Sequence, residues 1–117
     1  MKVTLLIPAM LCVAVLAQPA FAGTPQPERL AVISQHVFGQ YAPQFECIAH
    51  HESTDGANLY NYPNLGPWQI DVQAHAWVNV KRVVSDWWYS ARIAWSISDH
   101  GQDFSPWAAD YSYCSNL

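Results

Sequence analysis

Two cysteines, Cys47 and Cys114, stand in the part of this chain expected to survive export, and the bond they imply restricts the fold more than any other feature. The export reading comes from residues 1–22. Lys2 supplies a positive charge, Leu5 to Ala17 an apolar run, and Ala20 with Ala22 a small-residue cleavage site. That run is too short to cross a bilayer, and no second candidate follows. The expectation is a signal peptide over 1–22 and one domain over 23–117, free of the membrane after cleavage and secreted to the periplasm, cell wall or medium. Cys12 leaves with the signal, because Ala-Met-Leu before it is a poor lipidation context. In an oxidising compartment the two remaining cysteines are expected to pair, and the alternative of two buried thiols suits that compartment badly. The bridge would close a loop of roughly 70 residues, contributing about 4 kcal/mol on the chain-entropy account. For a domain of this size, with room for one modest core, that is a large share of net stability.

Charge removes whole classes of partner. Without Lys2, four basic residues (Arg29, Lys81, Arg82, Arg92) face nine acidic ones, a net charge near minus five with neutral histidines. Nucleic acid and anionic membrane are poor partners for such a surface. Five histidines would soften the acidity below about pH 6.5. With no repeat and no second domain in the pattern, a monomer is expected.

The helical signals come early and late. Glu28 to Tyr41 reads as a helix with Leu30, Ile33, Val37, Phe38 and Tyr41 on one face, Pro27 and Glu28 at its start, and Gly39 with Pro43 at its end. If Pro43 opens a second helix, Phe45, Ile48, Ala49 and Glu52 fall at i, i+3, i+4 and i+7. Glu52 therefore continues an apolar stripe. A carboxyl held against apolar neighbours keeps its proton to higher pH, which makes it a candidate general acid. Ser53-Thr54-Asp55-Gly56 then ends the helix and leaves Glu52 beside a loop. Ser53 to Gly66 is rich in Asn, Gly, Pro and Tyr, as a reduced hairpin or an irregular lobe would be. Asn58, Asn61 and Asn64 there could bind sugar or simply form turns. Asp71 is expected to cap a helix over Val72 to Val78, with Trp77 beneath a groove. Ser85 or Asp86 starts the longest helix, running to about Ser98 and ended by Gly101, with Trp88, Ala91 and Trp95 on its core stripe.

Glu52-Ser53 at a helix end, followed 14 residues after Glu52 by Gly66-Pro67-Trp68-Gln69-Ile70, resembles the Glu-Ser and Gly-Leu-x-Gln pair of lysozyme-like lytic transglycosylases. The spacing is also similar to that of resuscitation-promoting factors. The C-terminal GQDFSPWAADYSYC resembles the Gly-x-x-x-Ser-Pro-Trp…Cys closure of small secreted members, so the likeness spans Phe45 to Cys114. Pro67 and Trp68 stand where such proteins often carry Leu or Met, and no Ala-Tyr-Asn motif follows. The resemblance implies a mostly α, lysozyme-like α+β fold with a minimal β element and one disulfide. It implies cleavage of peptidoglycan glycan strands with Glu52 as acid and then base. It places Gln69 and the Gly66 loop along the saccharide groove, and Ser53 and Asn61 are expected to bind substrate there too. Trp68 and Trp107, flanked by loop glycine or proline, are expected at that groove as well.

Other chemistries lack support. His50, His51 and Glu52 are adjacent on a helix and diverge by about 100°, so they cannot converge on one ion, and no His-Glu-x-x-His spacing exists. No phosphate loop or Gly-x-Ser-x-Gly elbow is present. No metal or other cofactor is expected. The rival class is a secreted module that holds glycan or a partner protein on the same scaffold without turnover. Since Glu52 is the one carboxyl placed by both stripe and motif, with Asp55 its only near rival, the sugar's own acetamide and 6-hydroxyl would replace the second carboxylate of a hydrolase. The product would be a 1,6-anhydromuramyl end, as the resemblance to lytic transglycosylases implies, with lysozyme-type hydrolysis as the second choice.

Overall fold

The computed structural model describes residues 23–117, apart from the side chain of Tyr111; the signal-peptide reading and Cys12 lie outside them. Among the described residues the fold is mostly helical, with five α-helices and one small sheet. Helix α1 covers Pro27–Phe38, with Pro27 and Glu28 in its first turn and Leu30, Ile33 and Phe38 buried. It stops three residues short of the expected end, because Gly39 turns to φ +54° and the chain tightens into a 3-10 turn over Gly39–Tyr41. Helix α2, Ala42–Ser53, follows directly and packs across α1, with Phe38 and Phe45 stacked at 3.8 Å between ring centroids.

The β element is minimal. Strands β1 (Tyr60–Asn61), β2 (Asn64–Leu65) and β3 (Ile70–Asp71) pair antiparallel in that order, with Tyr60 opposite Leu65 and Leu65 opposite Ile70. A cis Tyr62-Pro63 bond makes the first turn. The helix expected over Val72 to Val78 does not form. Asp71 does accept the Gln73 and Ala74 N–H groups at 2.9 and 3.0 Å, but only isolated turns follow. The two buried anchors of that stretch, Val72 and Val78, lie six residues apart, so no single helical face could bury both. Trp77 is 61% exposed and lies beneath nothing.

Helices α3 (Val80–Ser85) and α4 (Trp87–Ile97) meet at Asp86, which ends the first and caps the second by accepting the Tyr89 N–H at 3.1 Å. Helix α4 is one residue shorter than α1 and α2, not the longest. Its buried stripe runs through Trp87, Ala91 and Ala94, while Trp88 is exposed and Trp95 half-buried. Arg29 lies over the Trp87 ring at 3.9 Å, which favours Trp87 over Trp88 as the inward aromatic. After a 3-10 turn at Ser105–Trp107, helix α5 (Ala108–Cys114) lies against α2, and the Cys47–Cys114 disulfide fastens it there with the Cα atoms 5.5 Å apart. The expected fold class and bridge are both present.

Candidate active site

Phe45, Ile48 and Ala49 are fully buried on α2, and Glu52, next on the same stripe, is half-buried in the last turn. The helix ends immediately beyond it. Thr54 adopts the left-handed conformation and donates back to Ala49 and His50 carbonyls, and Ser53 Oγ donates to the Ala49 carbonyl while accepting the Gly56 N–H at 2.9 Å. Ser53 is fully buried, so its hydroxyl braces the helix end from inside and has no face toward a groove. The neighbouring histidines point elsewhere. His50 Nδ1 sits 3.2 Å from Asp55 Oδ2, and the His51 ring stacks on Tyr113 at 5.3 Å. His51 also lies close to Cys47 and Cys114, where three ligand atoms come within 4.8 Å of one another. Both sulfurs are consumed by the disulfide, so this cluster offers an ion only one free ligand.

The Glu52 carboxyl meets a second carboxyl that the motif reading missed. Asp110, in the first turn of α5, hydrogen-bonds it. Burial, then the Asp110 hydrogen bond, then the Asp110 charge push Glu52 from its ordinary 4.5 up to about 8, so it carries a proton at neutral pH. Asp55, weighed from the sequence as the nearest rival, is instead occupied with His50. A signal for Asp110 was available. Asp110 precedes Cys114 by one helical turn and Glu52 follows Cys47 by a little more than one. If the cysteines bond two antiparallel helices, the two acids fall at about the same level along the pair, although Glu52, five residues from Cys47, is turned about 140° from it.

The Gly66–Gln69 turn is a core structure. Trp68 is fully buried and donates its Nε1–H to the Phe45 carbonyl at 3.0 Å; Trp107 is 2% exposed and donates to the Trp68 carbonyl at 2.7 Å. The expected groove role of Trp68 is therefore corrected, since a ring without exposed faces cannot stack on sugar. Large indoles whose N–H groups find backbone carbonyls are well suited to a small core. Trp107 still contributes an edge to a cleft of about 200 Å³ lined also by Asn64, Gln69, Ile70, Asp71 and His75. Gln69 is 7% exposed and spends its amide N–H groups on the Asn58 and Gly66 carbonyls at 3.2 and 2.9 Å, holding the loop to the sheet. Asn61 is exposed on β1. Of the residues expected to bind substrate, Gln69 and Trp107 share the cleft, Asn61 is accessible but does not line it, and Ser53, Gly66 and Trp68 are interior.

Gly66 has a structural reason to be glycine. Its φ is +81°, and a Cβ would run into the Val83 carbonyl oxygen and approach Ser90 Oγ at 3.0 Å. Gly66→Ala should lower stability by about 1–3 kcal/mol, visible as a lower denaturant midpoint at unchanged slope. A midpoint equal to wild type would refute the backbone argument.

A cleft of about 640 Å³ between the tyrosines at 60 and 62 and the aliphatic side of α3 includes no residue of α2 or α5. The carboxyls and this cleft are thus on different elements, and we assign the candidate site to the carboxyls because the half-buried Glu52 keeps its proton at neutral pH.

Compared with known proteins, the chain matches the family model described as a lysozyme-like domain over residues 45–109, from the buried Phe45 to the first turn of α5. No curated protein and no solved structure matches it.

Proposed function

We propose, from the premise that this chain belongs to the lysozyme-like domain family, that it cleaves the β-1,4 bond between N-acetylmuramic acid and N-acetylglucosamine in bacterial peptidoglycan, with Glu52 as the acid. Membership in the family supports wall-directed glycosidic chemistry in general. The observation that supports the finer reading is the state of Glu52: a half-buried carboxyl at a helix end, protonated at neutral pH. A cleavable glycosidic oxygen needs a proton as its bond to C1 breaks, and a carboxyl retaining its proton to about pH 8 can deliver it under ordinary conditions.

The reading includes a non-hydrolytic outcome. Hydrolases separate their two carboxyls by about 5–5.5 Å when a covalent intermediate forms, or about 6.5–9.5 Å when a water must fit between. A carboxyl in hydrogen-bond contact with Glu52 meets neither requirement. The sugar then supplies its own nucleophiles: the acetamide assists departure of the leaving group, and the 6-hydroxyl closes on C1 while Glu52 accepts its proton. The chain would act as an exported protein on the wall, as its leader suggests.

Digestion of purified walls in ¹⁸O-labelled water, with mass spectrometry of the soluble muropeptides, tests this. Unlabelled 1,6-anhydro ends are expected. Label at new reducing muramic acid ends would show hydrolysis and overturn the transglycosylase outcome; glycan binding without any soluble product would overturn catalysis altogether.

A further inference from the structure

We propose that Asp110 is a positioning residue for Glu52, the two carboxyls sharing a single proton across the α2–α5 contact that the Cys47–Cys114 bridge holds in register. The inference rests on the reading of Glu52 as the acid and extends it to a residue outside the Glu-Ser and Gly-x-x-Gln signatures. Asp110 Oδ2 is buried, and among the described residues no N–H or hydroxyl donor reaches it. A buried carboxylate oxygen without a donor is strongly disfavoured. Its neighbour is Glu52, and two carboxylates form a hydrogen bond only with a proton between them. One shared proton therefore gives the buried Asp110 carboxyl a donor and leaves the pair with a single negative charge.

Among the described residues no other charge competes for the pair. Asp110 is the one group whose charge acts on Glu52. On α2 itself, His50 is engaged by Asp55 and His51 stacks on Tyr113 of α5, while the charge of Asp55 acts on Glu46. On α1, Glu28 is exposed in the first turn, Arg29 lies over Trp87 and His36 packs edge-on to Trp88. In the 3-10 turn before α2, the Tyr41 hydroxyl accepts from Gln102. The register of the pair thus depends on α5, a seven-residue helix tied down by its last residue.

This arrangement serves both halves of the proposed reaction. In the first, Glu52 gives the shared proton to the glycosidic oxygen as the C1–O4 bond breaks, and the 4-hydroxyl of the departing sugar keeps it. The pair then carries two adjacent negative charges, and their repulsion makes Glu52 a stronger base than a lone carboxylate. In the second, Glu52 takes the proton of the muramyl 6-hydroxyl as O6 bonds to C1, and the shared proton is restored. No water is consumed.

The test is a ¹³C carboxyl NMR titration of the full chain beside the pH profile of wall lysis, in wild type, Asp110→Asn and Glu52→Gln. Asp110→Asn replaces a charge with an amide that can donate to Glu52. The Glu52 carboxyl should then titrate lower, remaining above 4.5 because burial persists, and the alkaline limb of the activity profile should move in the same direction. In Glu52→Gln the amide donates to Asp110 in place of the shared proton, and no carboxyl should titrate near pH 8. An unchanged Glu52 titration in Asp110→Asn, or a carboxyl still titrating near pH 8 in Glu52→Gln, overturns the proposal. A Glu52 shift as expected in a protein that releases no muropeptide supports the pair and instead refutes the muralytic reading.

Discussion

Glu52→Gln should reduce wall-lytic activity by roughly 10²- to 10⁴-fold while the protein remains folded. Gln matches Glu in shape and can still hydrogen-bond Asp110, but it has no proton of the required acidity to give a leaving oxygen. Asp55→Asn is the matched control. It alters a carboxylate three residues beyond Glu52, one engaged with His50 rather than with Glu52, and should leave most activity intact. Assay of soluble product from labelled walls reads both, and full activity in the Gln variant would end the assignment. A stability effect of defined sign accompanies the loss. In the unfolded chain Glu52 releases its proton near pH 4.5, whereas in the folded protein burial and Asp110 hold the proton until about pH 8. The folded state therefore binds more protons between those values, and the stability this group contributes, complete below pH 4.5, is lost as pH rises to about 8. Gln does not titrate, so chemical denaturation across this window should decline less steeply with pH in the variant than in wild type. A steeper decline would contradict the raised pKa.

The largest structural effect belongs to the bridge. Reducing Cys47–Cys114, or replacing both cysteines with Ala, should lower the melting temperature by about ten degrees or more. The sequence separation is 67 residues, for which the chain-entropy account assigns about 4 kcal/mol. Removal also frees the end of the chain. Helix α5 is too short to be stable alone; among the described residues its further ties to the body include the Glu52–Asp110 contact and the His51–Tyr113 stack, and just beyond it the Gln44 amide donates to the Leu117 carbonyl at 2.8 Å. Calorimetry with and without reductant measures the change. Two thiols titrating in the native, unreduced protein would contradict the bridge.

How far these features are legible in the residue string differs from one element to the next. Helix α2 and its inward stripe follow from Pro43 and the 3.6-residue spacing of Phe45, Ile48, Ala49 and Glu52, because that periodicity is a property of the chain itself. The cap at Asp86 is local as well, a side chain reaching an N–H three residues away. The segment from Asp71 to Val78 has the local capping signal without the result, since helix formation there also needed a continuous face to bury. Trp68 and Trp107 mislead for a related reason: flanking glycine and proline describe the backbone at those positions, whereas burial is decided by what packs over the ring.

What the sequence determined alone is therefore the chemistry available and its local framing: an acid on an apolar helical stripe, a turn to end that helix, and two cysteines to be joined. Tertiary structure decided which groups meet. Asp110 lies 58 positions from Glu52 in the chain and becomes its partner only because the bridge and the antiparallel packing of α5 on α2 bring one helical turn of each together. A pKa is set by such through-space neighbours and by burial, neither of which has a period along the chain, so the state of the acid was settled by the fold.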